Sequence, residues 1–268
     1  MRTLLMLGSS LLAGAVQAAE LHVAAGQERL IDEPRLQLER LVLEDGATLR
    51  LAPGLPRFEL RAEQAWIGRD VRLLARGSDA SAGRAGAAGS AGKSCANGEA
   101  GQPGEAGGAG AAGTDLQITL GLRSFGSLLL DTRGGAGSAG GSGGDGGDGG
   151  AADRCAGGAG GTGGRGGEGG AGGRGGTVAL RYWSLSEAGY IPVSNHGPGV
   201  QILTAGGLGA AGGRGGKGGI AGAGEFSTRG NGIKVYRNGG APGEAGLTGA
   251  PGSSGETGRF LVQPQARP

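Results

Sequence analysis

Glycine recurs at every third residue through four stretches of this chain, and that frame constrains the fold more than any other feature. Through 83–113 the frame is broken only by Cys95, and through 134–176 only by Ala152 and Cys155. Through 206–224 Ala221 is the one exception, and through 240–258 there is none. A flexible coil is indifferent to where its glycines lie. Polyproline II geometry is not: it has three residues per turn and rises about 3.1 Å per residue, so every third residue shares one edge. An edge made of glycine lets another backbone come close. Three readings follow: disordered glycine-rich segments, a collagen-like trimer, and a monomeric bundle of glycine-rich polyproline II helices held by backbone hydrogen bonds and Cα–H···O contacts. The triplet blocks are short, poor in proline and full of Gly-Gly-X, which removes the imino-acid stiffening a collagen helix relies on. The bundle is the reading adopted, with a monomer preferred and a homotrimer the alternative.

Inside the second block the bare face changes side. In GGSGGDGGDGG the extra glycine follows the frame glycine, at Gly141, Gly144, Gly147 and Gly150. In GGAGGTGGRGGEGGAGGRGG it precedes it, at Gly157, Gly160, Gly163, Gly166, Gly169, Gly172 and Gly175. The switch falls across AADRCA (151–156), as two helices facing each other across a reversal require. The first block divides the same way at KSCAN (93–97). Cys95 and Cys155 each occupy a frame slot at these proposed reversals. In an exported chain two cysteines generally pair, so an intrachain Cys95–Cys155 disulfide is expected, against interchain pairing or free thiols.

Between the glycine blocks the chain alternates in the two-residue period of β-strands. Leu36/Leu38, Leu41/Leu43, Leu49/Leu51, Phe58/Leu60 and Val71/Leu73 would each point to one side. Later runs are LQITLGLRSFGSLLLDTRG, TVALRYWSL, GVQILTAGG, GIKVYRNGG and RFLVQ, several leading straight into glycine. This is an internal repeat of a strand unit followed by a glycine insertion. The fold class expected is mainly β and irregular: a small β-solenoid, like the rungs of bacterial parallel β-helix proteins, carrying an inserted polyproline II bundle. A β-sandwich with the same insertions is the alternative. Residues 19–77 form the N-terminal β-rung region, and 78–268 alternate rungs with glycine segments.

Met1–Ala18, MRTLLMLGSSLLAGAVQA, reads as a secretory signal peptide with Val16 and Ala18 at the −3 and −1 positions. Export to the periplasm, cell surface or extracellular space follows from that reading, and no later segment is apolar enough to span a bilayer. With 69 glycines and 3% aromatics, a conventional packed core cannot run throughout. A net charge of +2, with the cations scattered among nearly as many acids, gives no ground for a nucleic-acid partner.

No catalytic constellation stands in the sequence, and no cofactor is implied by it. His22 and His196 lack a nucleophile context and read as exposed loop or terminal residues. Asp145 and Asp148 in GGDGGDGG would stand about 9 Å apart on one polyproline II edge, too far to share a calcium ion alone, and read as solvated charge. Arg165 and Glu168 share an edge in the same way. With no His or further Cys at ligand spacing, zinc is not indicated.

The triplets GEAGQPGEAG and GAPGEAGLTGAPGSSGETG resemble collagen-like bacterial surface proteins. The Gly-Gly-X runs resemble springtail glycine-rich antifreeze proteins and the receptor-binding tail-fibre adhesins of T-even-like phages. The adhesin resemblance implies binding by loops at the end of a stiff bundle: the cysteine-bearing reversals and the 184–199 loop with Tyr190, Asn195 and His196. The antifreeze resemblance implies ice binding by a flat Ala/Ser/Thr face. The function expected is an exported, non-enzymatic structural or adhesive module for a glycan, surface or matrix partner. The alternatives are a β-helix polysaccharide-active enzyme, an ice-binding protein and a collagen-like trimeric stalk.

Overall fold

A computed structural model of the chain describes residues 19–185, 191, 193 and 199–267. Among them there is no helix. Odd-numbered strands β1 (Glu20–Val23), β3 (Arg35–Leu43), β5 (Arg57–Ile67), β7 (Asp115–Phe125) and β9 (Val178–Ser184) lie side by side in a parallel six-stranded sheet completed by β13 (Phe260–Pro264). Even-numbered strands β2 (Glu28–Ile31), β4 (Thr48–Leu51), β6 (Val71–Leu74), β8 (Leu128–Asp131) and β10 (Val200–Leu203) form a parallel five-stranded sheet. The chain therefore crosses from one sheet to the other at every step.

The alternation read in the sequence becomes columns of stacked side chains. Phe58, Leu116 and Val178 align in register, as do Leu60, Ile118 and Leu180. In the smaller sheet Leu49, Leu73, Leu130 and Ile202 align. Residues of both sheets make one buried cluster, in which Leu41, Phe58 and Leu130 are wholly inaccessible. Fully burying a side chain of this size is worth about 1.5–3 kcal/mol, so the sheets hold together as an ordinary apolar core does.

The glycine segments leave this body at one corner. Short links, 32–34 and 52–56, connect β2 to β3 and β4 to β5. At the later equivalents, β6 to β7, β8 to β9 and β10 to β13, the link is an excursion that runs out and back. The outgoing segments are g1 (77–92), g3 (134–150) and g5 (206–224). The returning segments are g2 (98–113), g4 (157–176) and g6 (239–258). Strand register passes into them without a slip. Ala75 N–H donates to Asp131 O (2.8 Å), Gly77 N–H to Arg133 O (2.9 Å), and the ladder continues at Ala80, Gly83, Gly86, Gly89 and Gly92. The bonded period has changed from two to three.

The hydrogen bonds define two layers. One holds the outgoing segments, with g1 donating to g3 and g3 to g5; the other holds the returning segments, with g2 donating to g4 and g4 to g6. A second set of bonds crosses between layers, antiparallel, from g2 to g1, g3 to g2, g4 to g3, g5 to g4 and g6 to g5. Each triplet thus has a leading residue that bonds within its layer, a middle residue that bonds across, and a trailing residue whose side chain faces solvent.

This geometry explains where two glycines are needed and where one suffices. A Cβ at a leading position would meet the backbone of the next segment across the layers: at Gly83 Glu105 O, at Gly140 Gly167 O, at Gly166 Gly213 O, each closer than 3.0 Å. A Cβ at a middle position would meet the preceding segment of its own layer: Gly141 meets Arg84 O, Gly213 meets Gly141 O, Gly249 meets Gly167 O. Segments g1 and g2 have no predecessor in their layers, so their middle positions carry Arg84, Gln102 and Glu105. Segments g3, g4 and g5 are enclosed on both counts and read Gly-Gly-X. Segment g6 has no successor, and its leading positions carry Pro242, Ala245, Thr248, Pro251, Ser254 and Thr257. The change of bare face at 151–156 is the passage of the chain from one layer to the other.

One cross-section departs from the rule. Ala80 stands at a leading position, Ser138 and Ala210 at middle ones, and Gly108 replaces a larger residue opposite Ala80, which a Cβ on Gly108 would approach at 3.1 Å. The bonds there lengthen to 3.0–3.1 Å, at Gly108, Ser138 and Ala210, where 2.8 Å is usual along the same ladders. The Ser138 hydroxyl donates to Ser81 O.

The run GIKVYRNGG is not a strand of the parallel sheets, contrary to the repeat read from the sequence. Strand β12 (Lys234–Arg237) pairs antiparallel with β11 (Glu225–Thr228), as a hairpin between g5 and g6 at the far end of the excursion.

Candidate functional site

Two ends of the molecule could present ligand-binding loops. At the body end β9 stops at Ser184 and β10 begins at Val200; Tyr190, Asn195 and His196, singled out in the sequence, lie outside the described residues. The far end carries the reversals 93–97 and 151–156 and the β11–β12 hairpin.

The reversals are fixed by covalent and backbone constraints together. Cys95 and Cys155 form a disulfide, with Cα atoms 5.9 Å apart. Ala96 N–H donates to Lys93 O (2.8 Å), closing the first turn, and Cys95 takes a positive φ of 65°. Cys95 N–H donates to Ala151 O (2.9 Å), so the backbone ladder reaches the tips that the disulfide ties.

The hairpin was not anticipated, although Asn231-Gly232 between two short alternating runs is a strong local signal for one. Gly232 has φ +80°, and its N–H donates to Arg229 O (2.8 Å); Arg229 N–H donates to Ile233 O (2.9 Å). Phe226 and Tyr236, opposite one another in register, have ring centroids 5.1 Å apart with planes tilted by 60°. Both rings are exposed, at 71% and 54%.

Hairpin and disulfide-tied reversal together enclose an open groove. Its walls carry Asp153 and Arg154 from the reversal and Glu225, Phe226, Arg229 and Arg237 from the hairpin. Arg237 Nε is buried without a hydrogen-bond partner. The described ion pairs include none of Arg154, Arg229 and Arg237, whereas Arg50 pairs with Glu28, Arg133 with Asp131 and Arg174 with Asp115.

Those last two pairs belong to the junction between body and glycine segments. Arg174 grips Asp115 through both arms, at 3.0 Å each, and holds its carboxyl below the usual range against desolvation. At Asp131 burial would raise the carboxyl, but the Arg133 guanidinium (2.7 and 2.9 Å) and N–H outweigh it, and the result is lowered. Buried Thr132 donates its hydroxyl to Gly176 O (3.1 Å), and Thr114 donates to Leu55 O (2.8 Å).

The remaining residues read from the sequence are structural. His22 lies on β1, exposed, with Nε2 2.8 Å from Glu44 Oε1; His22 and the Ala25 N–H hold Glu44 below its usual range. Asp145 and Asp148 are not simply solvated: each accepts a trailing N–H of the neighbouring segment, from Lys217 (2.7 Å) and Ile220 (2.8 Å). Asp79 and Asn97 do the same for Ala136 and Ala159. Trailing N–H groups face outward with no backbone acceptor, so a short acid or amide on the adjacent segment serves as one. Arg165 and Glu168 lie 3.6 Å apart, both exposed. Among the described residues no group of three or more His, Cys, Asp or Glu could hold a metal ion, and no helix is long and apolar enough to cross a membrane.

No protein-family model matches the chain, and no curated protein does. Among solved structures it is similar to a springtail antifreeze protein from Granisotoma rainieri, a nine polyproline type II helical bundle whose crystal waters match the ice lattice. The identity is 26%, covering 70% of this chain and 94% of that one, with a TM-score of 0.10.

Proposed function

We propose that this is an exported structural or adhesive binding module: a small β-solenoid from which a bundle of glycine-rich polyproline II helices projects and presents a disulfide-tied tip to a glycan, surface or matrix partner. The observation that carries the reading is the far-end groove, where arginines outside the described ion pairs and exposed aromatics gather on the segment held farthest from the body. Segments of about sixteen to twenty residues at about 3.1 Å per residue would project roughly 50–60 Å. The three-residue ladders, made with all six segments from one chain, favour the monomeric bundle over a collagen-like trimer. Signal-like residues 1–18 and the disulfide support export.

Ice binding draws less support. The outward rows hold alanines, but Asp145, Asp148, Arg214 and Lys217 interrupt one face and Arg165 and Glu168 the other.

Binding to arrays of cell-wall fractions and polysaccharides tests the proposal, comparing the full chain with a variant whose 226–236 is replaced by a Gly-Ser link. Binding that disappears with the hairpin is expected. Equal binding by both forms, or turnover of a polysaccharide, would sink the adhesive-tip reading.

A further inference from the structure

Three features of the groove specify its ligand more closely, on the reading that the tip is the binding end. First, Arg154, Arg229 and Arg237 line it outside the described ion pairs. Second, one polar edge is incomplete: Arg237 Nε is buried and makes no hydrogen bond. A buried donor on a charged group loses its hydration and gains nothing in return, a state that a bound acceptor relieves once the guanidinium turns its Nε edge into the groove. A carboxylate does so well, because its two oxygens match the two parallel N–H bonds on the side of a guanidinium. Third, the same walls hold groups suited to a sugar. Asp153 and Glu225 are acceptors for hydroxyls, and Phe226 offers an exposed ring braced by Tyr236 at 5.1 Å, against which the C–H face of a pyranose can lie.

We propose that the groove between the 151–156 reversal and the β11–β12 hairpin binds a uronate-bearing polysaccharide, with Arg237 taking the sugar carboxylate, Arg154 and Arg229 supplying further cationic contacts, Asp153 and Glu225 accepting hydroxyls, and Phe226 stacking on the ring. A neutral glycan would leave the Arg237 edge unfilled. Asp153 and Glu225 would repel a densely anionic polymer that offers no hydroxyl donors beside its charge.

Polygalacturonate is the probe, with neutral galactan, dextran sulfate and a phosphate-bearing teichoic acid beside it. The oxidised full chain is tested by surface retention and calorimetry at fixed ionic strength. Arg237→Gln should weaken polygalacturonate binding by about tenfold or more, as loss of a central arginine contact does, and Arg154→Gln by about threefold. Arg214→Gln, on the outward face of g5, should change it by less than about twofold. Circular dichroism and a non-reducing mass confirm that each variant is folded and disulfide-bonded.

Unchanged binding in both groove variants, equal loss in Arg214→Gln, or preference for dextran sulfate or teichoic acid would overturn the proposal. Galactan binding that depends on the hairpin, without uronate preference, would overturn the ligand class and leave the adhesive tip standing. Silence towards every polymer and every cell-wall fraction would overturn both.

Discussion

The body and the glycine excursions use one backbone register and opposite means of cohesion. In the body, Leu41, Phe58 and Leu130 lose all contact with water, and the sheets are held by side chains meeting between them. In the excursions, segments approach so closely that a single Cβ would strike a carbonyl, and backbone bonds near 2.8 Å hold them. Ordering glycine costs more backbone entropy than ordering any other residue. Such an assembly cannot fall back on apolar burial, so it depends on an unbroken ladder and on its two anchors, the body and the disulfide. The body tolerates a change of side chain at the expense of packing; the excursions tolerate almost any trailing side chain and hardly any inner one.

Substitutions sharpen that contrast, beginning with the most severe. Gly166→Val places a branched side chain against the backbone of Gly213 and Arg214, with nothing flexible there to yield. Overpacking of this kind should cost at least about 4 kcal/mol and release the excursions while the sheets persist. Denaturation followed by circular dichroism and by hydrogen exchange should show two separate transitions. A single unchanged transition would mean that the segments do not pack as described.

Phe58→Ala removes a wholly buried ring and should cost about 3–4 kcal/mol, with exchange rising first in β5 and its neighbours β3 and β7. Faster exchange in g3 and g4 alone would contradict the division of labour.

Reducing Cys95–Cys155, which closes a loop of 60 residues, should cost about 2–4 kcal/mol. The loss should be confined to the far end, with exchange rising around 93–97, 151–156 and the hairpin while the sheets are untouched.

Acid should loosen the junction. Asp115 and Asp131 have native carboxyls held below the ordinary value of 3.8. Their contribution is intact above that value, falls as pH drops below it, and is gone once pH passes the native values, because over that window the unfolded chain binds more protons. Stability measured from pH 6 to 2 should fall less steeply in Asp131→Asn, whose pair with Arg133 is already gone. Identical slopes would remove the junction pairs from the account.

Arg165→Ala is the mildest test. Its side chain is exposed and paired at 3.6 Å with Glu168, so stability should move by less than about 0.5 kcal/mol. Beside Gly166→Val, one residue away, it separates an inner position from an outer one.

Much of this was legible in the sequence because glycine periodicity reports a steric requirement directly. The frame and the reversal at 151–156 could be read from position alone, and the pairing of Cys95 with Cys155 from their matching positions together with the reading of an exported chain. The number of glycines per triplet could not be interpreted, since it depends on how many neighbours a segment has, and that is a property of the assembled layers. Asp145 and Asp148 are exposed, as read, but their second role was hidden for a related reason: the N–H groups of Lys217 and Ile220 that they accept belong to a segment seventy-two positions away. The hairpin was missed because GIKVYRNGG ends like the other strands that lead into glycine. The same short β pattern serves the parallel sheets in the body and an antiparallel pair at the far tip.

The closing of the stack at g6 bears on how such a molecule can change in size. Pro242, Thr248 and Pro251 occupy the positions that would have to be bare for a seventh segment to seat, and Pro lacks the N–H that an eighth would need. Growth at that margin is barred on steric grounds. The interior is different: g3 and g4 present Gly-Gly-X to both sides, so a tandem duplication of residues 128–199, one strand of each sheet with its excursion, would insert a further out-and-back pair whose glycine requirements its neighbours already meet. A lineage of such proteins can therefore lengthen from the middle while both terminal segments stay as they are, each added copy bringing one further cysteine at its reversal.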